Sequence, residues 1–113
     1  MITAKFYQEP DNGSIHMTLK GHADAAPKGE DLICSAVTML AYTVAQAVQF
    51  MYENKNLKEK PEIRIADGEA TIIAKPTEEA YAETLHTFRV AQCGVHVLAN
   101  NNPDNVALEH LKV

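Results

Sequence analysis

The chain of 113 residues is long enough for one domain with a core of its own and too short for two, so residues 1–113 read as a single domain. An apolar fraction of 46% is that of a globular protein. A formal charge of −5, with ten scattered lysines and arginines, argues against direct nucleic-acid binding, which needs a concentrated basic face.

Met1 to Tyr7 and Ser14 to Lys20 both suit strands. In the second, Ile15, Met17 and Leu19 alternate with His16, Thr18 and Lys20, which buries one face. Asp11-Asn12-Gly13 between them is a hairpin signal, so the two strands are expected to be antiparallel neighbours. The N-terminal residues carry no basic stretch followed by an apolar run, so no secretory signal is expected.

After a loop comes the clearest helix, Leu32 to Glu53, with Ile33, Val37, Leu40, Val44, Val48 and Met51 at steps of three and four. Asp31 is placed to cap it. The apolar stretch is broken by Ser35, Thr38, Thr43, Gln46 and Gln49, which reads as a buried helix and not a membrane span. Its apolar face is wide and sparse in charge, so a second side is expected to be covered, most simply by a twofold partner.

A polar connection, Asn54 to Lys60, leads to strands at Glu62–Ala66 and Ala70–Lys75, joined by the turn signal Asp67-Gly68. Pro76-Thr77-Glu78-Glu79 then reads as the start of a second helix, with Pro76 at its first position or Thr77 as cap. Tyr81, Leu85, Phe88, Val95 and Leu98 mark its inner face to about Ala99, through Gly94. A turn at Asn100 to Asp104 precedes a last strand, Val106 to Leu111. The order ββαββαβ predicts an α+β fold, a largely antiparallel sheet packed with two helices, the first helix at a dimer interface.

The chemistry concentrates in Gly21-His22-Ala23 and Gly29-Glu30-Asp31-Leu32-Ile33-Cys34-Ser35. Cys34 falls on the first helical turn, where unpaired N–H groups and the helix dipole favour the reactive thiolate. The N–H groups of Cys34 and Ser35 are candidates to receive an oxyanion. His22 ends a strand whose following loop must return to the helix start, so imidazole and thiol begin at the same end of the domain. That is the pairing a cysteine nucleophile needs. The bland alternatives are a cysteine packed as a small hydrophobe and a histidine on the surface. Asp31 is either the helix cap or the orienter of His22. The loop from Ala23 to Glu30 exceeds the usual connection of about 4–6 residues and is either a plain surface loop or one that closes over substrate.

Cys93, in the second helix, reads as buried and inert. His16, His86, His96 and His110 show no ligand spacing and read as structural or surface residues. A zinc site from His22, Cys34 and a distant His96 has no support in the spacing, so neither metal nor cofactor is expected, and two separated cysteines imply reduced thiols in the cytoplasm.

Gly21-His22-Ala23 followed by Gly29-Glu30-Asp31-Leu32-Ile33-Cys34-Ser35-Ala36-Val37 resembles the signature of the ribosomal-processing cysteine protease family, Prp. Length and element order are also similar, so the resemblance spans essentially the whole chain. Thr38 stands where the family usually has serine and keeps the hydroxyl. The resemblance implies a homodimeric cytoplasmic endopeptidase that removes the N-terminal extension of large-subunit ribosomal protein twenty-seven. It implies Cys34 as nucleophile and His22 as general base and acid, with Asp31 and Ser35 as supporting candidates. It implies that the loop bearing Gly21, Ala23 and Gly29 admits the peptide. The competing class is a non-catalytic, ribosome-associated binding module in which Cys34 is merely packed.

Overall fold

The alternation in the first two strands becomes one buried face of a sheet in the computed structural model of the chain, which describes residues 1–27 and 29–111. Lys28 of the expected loop, and positions 112 and 113 of the expected single domain, lie outside the described residues. Strand β1 (Ile2–Gln8) buries Ile2, Ala4 and Phe6, and β2 (Ile15–Lys20) buries Ile15, Met17 and Leu19. The two pair antiparallel with Phe6 opposite Met17, through a turn in which Gly13 has φ +70°.

Helix α1 (Leu32–Glu53) follows, then β3 (Glu62–Ala66), β4 (Glu69–Ala74), α2 (Tyr81–Asn101) and β5 (Val106–Glu109). The sheet order is β3-β4-β2-β1-β5. β5 joins β1 in parallel and the other pairings are antiparallel, so the expected ββαββαβ order and largely antiparallel sheet are both present. A parallel partner for β1 is possible because α2 serves as the crossover that returns the chain to the same end.

Both helices contribute to one core. Val37, Ala41, Val44 and Val48 of α1 and Phe88 and Val95 of α2 are buried in it. Gly94 does not end α2. A β-carbon there would meet the Leu40 methyls at 2.9 and 3.0 Å, so the glycine lets α1 approach closely. That close approach offsets the helix-propensity cost of about 1 kcal/mol relative to alanine.

Several expectations need correction. α1 is long and apolar enough by length and composition to cross a membrane, yet it lies along the core with only its inner face buried. Leu32, Met39, Tyr42 and Phe50 are exposed on its outer side, so the second side of its wide apolar face is uncovered within the chain. α2 begins at Tyr81 and not at Pro76. Pro76 instead bridges to Leu57, and Thr77 Oγ1 accepts from the Ala80 N–H at 3.2 Å, capping a turn that precedes the helix. Cys93 is exposed rather than buried, because the inward positions of its turn are taken by Ala91 and Val95. Of the two readings open for His16, the structural one holds: the ring is only 8% exposed and stacks on Tyr7 with centroids 4.4 Å apart.

Candidate active site

The end of β2 is fastened to the β3–β4 hairpin. The Gly21 N–H donates to the Gly68 carbonyl at 2.9 Å, extending the ladder by one bond. Gly21 adopts φ +96°, and its α-carbon packs so tightly on the Met1 carbonyl that a β-carbon would collide with it. The next residue, His22, is thereby carried onto the hairpin turn. A β-carbon on Gly68 would stand 2.8 Å from His22 Nε2, so the ring rests over that glycine.

Ala23 is 1% exposed, and its carbonyl accepts from Asn105 Nδ2 at 2.8 Å. Asn105 lies just before β5 and accepts from the Ile2 N–H through its own carbonyl at 2.8 Å. One asparagine thus ties the residue after His22 to the start of β1. Gly29 has φ +90° with open space around its α-carbon.

Asp31 has the extended backbone of a helix cap. Its Oδ1 accepts from the Cys34 N–H at 2.9 Å and its Oδ2 from the Ala25 N–H at 3.0 Å. The carboxylate therefore joins the helix start to the loop, and of the two roles open from sequence it takes the cap. The bond from Cys34, followed by those from the backbone of Ala25, Ala26 and Ile33, holds its pKa below the ordinary carboxylate value, against a desolvation that pushes it up.

Cys34 is the third residue of α1, half-buried, packed against the core on one side. Thr38 Oγ1 donates to the Cys34 carbonyl at 2.8 Å, so the hydroxyl at this position is spent on the helix backbone. The expected oxyanion donors are not available as expected. The Cys34 N–H is bound by Asp31 Oδ1, and the Ser35 N–H donates to the Asp31 carbonyl at 3.0 Å. A cap and the first helical bond satisfy these two donors before any substrate could.

His22, Asp31, Cys34 and Ser35 all line one open cleft of about 520 Å³. Among the described residues no hydrogen bond joins the His22 ring to the Cys34 thiol. The two line a common cleft, and a catalytic hydrogen bond often tightens only once substrate is bound. Met39 and Tyr42 from the outer side of α1 and Asp24 and Asp67 from the two loops complete walls that the sequence reading missed. Met39 and Tyr42 stand one and two turns beyond Ser35, so helical spacing was the signal that could have found them. His96, far along α2, is paired with His110 instead of with His22 or Cys34.

Residues 1–107 match the family model described as cysteine protease Prp. Among curated proteins no sequence matches. The fold is similar to that of solved structures over nearly its whole length. One is the essential ribosomal processing protease Prp from S. aureus with a covalently linked product peptide, at TM-score 0.68 and 20% identity, covering 99% of this chain and 100% of that one. A second is SMU.848 from Streptococcus mutans, at TM-score 0.68 and 22% identity, covering 99% and 96%. The same S. aureus protease with a substrate peptide gives TM-score 0.62 and 19% identity, covering 99% and 100%. At these identities the likeness establishes the architecture alone.

Proposed function

Since the chain belongs to the cysteine protease Prp family, we propose that Cys34 is its nucleophile, that His22 is its general base and acid, and that its substrate is a ribosomal protein bearing an N-terminal extension. The observation that carries this reading is the shared cleft, which has one thiol and one imidazole on its walls. In the proposed reaction the Cys34 thiol gives its proton to His22 and the sulfur attacks the scissile carbonyl. Collapse of the tetrahedral adduct expels the amine, which takes the proton from His22, and leaves a thioester. Water, deprotonated by His22, then breaks the thioester and restores the thiol.

Asp31 supports this site as the group that holds Cys34 at the helix start and the loop beside it. Ser35 lies exposed on the cleft wall, placed to touch peptide. The net charge of −5 favours approach of a basic chain such as a ribosomal protein. The segment cleaved is taken to be the extension of large-subunit ribosomal protein twenty-seven, in the cytoplasm.

The enzyme is proposed to act as a homodimer. Leu32 (83% exposed), Met39 (63%), Tyr42 (52%) and Phe50 (55%) form an apolar stripe down the outside of α1 that a second copy would cover. Incubation with the extended ribosomal protein should yield one clipped product. Cleavage should vanish in Cys34→Ala and fall by orders of magnitude in His22→Ala, and undiminished cleavage in Cys34→Ala would overturn the assignment. Light scattering should return twice the chain mass for the wild type and the single mass for a Phe50→Glu variant.

A further inference from the structure

Away from the cleft, α2 and the residues after β5 bring together two histidines that show no ligand spacing in the sequence. His96 Nδ1 lies 3.2 Å from His110 Nε2, with both rings exposed and their planes at 61°. We propose that His96 and His110 form a binding site for a divalent transition-metal ion of the zinc class.

Two nitrogens bound at about 2.0–2.1 Å to one tetrahedral ion stand about 3.3 Å apart. The rings therefore already have nearly the separation that an ion between them would impose. Imidazole nitrogen is the donor that suits zinc, nickel and copper, whereas calcium and magnesium require oxygen.

The protons can be arranged to the same end. The Asn100 amide nitrogen lies 3.0 Å from His96 Nε2, and the amide can meet that ring nitrogen through its NH2 or, turned over, through its oxygen, so the His96 tautomer follows the amide. With an ion bound, the ring proton sits on Nε2 and the Asn100 amide oxygen accepts it. Both facing nitrogens then offer lone pairs. A ligating histidine usually has such a partner on its other nitrogen, which fixes the ring and its tautomer.

Both ligands are held before an ion arrives. His96 rides on α2, and the Leu111 N–H donates to Gln92 Oε1 at 2.6 Å, which pins the segment carrying His110 against the same helix. Leu111 is itself buried. Among the described residues no group of three histidine, cysteine or acidic side chains is gathered. The pair therefore supplies two positions and water or a donor from another molecule supplies the rest.

The test is titration of Zn2+ into the full chain carrying Cys34→Ala and Cys93→Ser, so that no thiol competes. One equivalent should bind, and His96→Gln and His110→Gln, each added to that background, should weaken binding by about tenfold or more. Absence of binding at about 1 mM Zn2+ would overturn the site. So would unchanged affinity in either histidine variant, since both rings are exposed and circular dichroism will show whether the variants remain folded.

Discussion

The imidazole of His22 rests on Gly68, close enough that a β-carbon there would lie 2.8 Å from Nε2. Gly68 also has φ +72°, a conformation that L side chains adopt at a cost of about 1–2 kcal/mol. The hairpin turn is thus both the end of a strand pair and the surface on which the candidate base lies.

Gly68→Ala should therefore do two things. Backbone strain should lower stability by about 1–2 kcal/mol, and the new methyl should push the His22 ring aside, lowering kcat/KM beyond what lost stability explains. Gly13→Ala is the control, because Gly13 has φ +70° with nothing within 4 Å. It should show a comparable shift in urea midpoint with kcat/KM unchanged. Equal activity in the two variants would remove the ring from the argument.

Asp31 ties stability to acid pH. Its carboxyl titrates below the ordinary value of 3.8 because the Cys34 N–H and the loop N–H groups bind the charged form. The unfolded chain then takes up this proton at higher pH than the folded one, so the stabilisation is complete above 3.8 and is lost as pH falls through the folded value. Urea unfolding followed from neutral pH downward should show this loss in the wild type and a smaller one in Asp31→Asn. The same variant keeps an oxygen for the Cys34 N–H but sets its amide NH2 against the Ala25 N–H, so it should lose activity through poorer placement of the loop beside the thiol.

His16 should add a second slope nearer neutrality. Its Nε2 is 2.8 Å from Ser14 Oγ, while its buried Nδ1 has no partner among the described residues. Burial lowers its pKa from 6.5, only partly opposed by Glu9 and Glu62. The folded ring resists protonation, so its contribution is complete above 6.5 and declines as pH falls through the folded value. The drop in urea midpoint between about pH 7.5 and 5.5 should be smaller in His16→Gln than in the wild type. An equal drop in both would assign it elsewhere.

Asn105 acts at a distance in sequence through its bond to the Ala23 carbonyl. Asn105→Ala should lower stability by about 1 kcal/mol, as for one intramolecular hydrogen bond. It should also lower kcat/KM, since the residue after His22 loses its tether. Asn105→Asp places an acceptor against an acceptor and should be worse than alanine in both respects. Equal activity in wild type and Asn105→Ala would show that His22 is positioned without it.

Much of the fold could be read along the chain because its signals are local. The alternation of Ile15, Met17 and Leu19, the turn residues Asp67-Gly68, and the three- and four-residue steps of Val37, Ala41, Val44 and Val48 each follow from geometry within a few residues. The cap at Asp31 was legible for the same reason, being a bond to the N–H three residues on. The start of α2 was misread because Thr77 caps a turn that stops short of the helix, and nothing in Pro76-Thr77-Glu78-Glu79 separates the two cases. Cys93 was misread because cysteine is usually buried, whereas Ala91 and Val95 take the inward positions of its turn and leave it outside.

Local order alone therefore determined the strand and helix sequence, the thiol on the first turn of α1 and the histidine at the end of β2. Only the tertiary structure decided what surrounds them. The placement of His22 on Gly68, the Asn105 tether on Ala23 and the meeting of His96 with His110 all join residues far apart in the chain. Such contacts arise when the sheet order β3-β4-β2-β1-β5 is assembled, and side-chain periodicity carries no information about which distant elements will become neighbours.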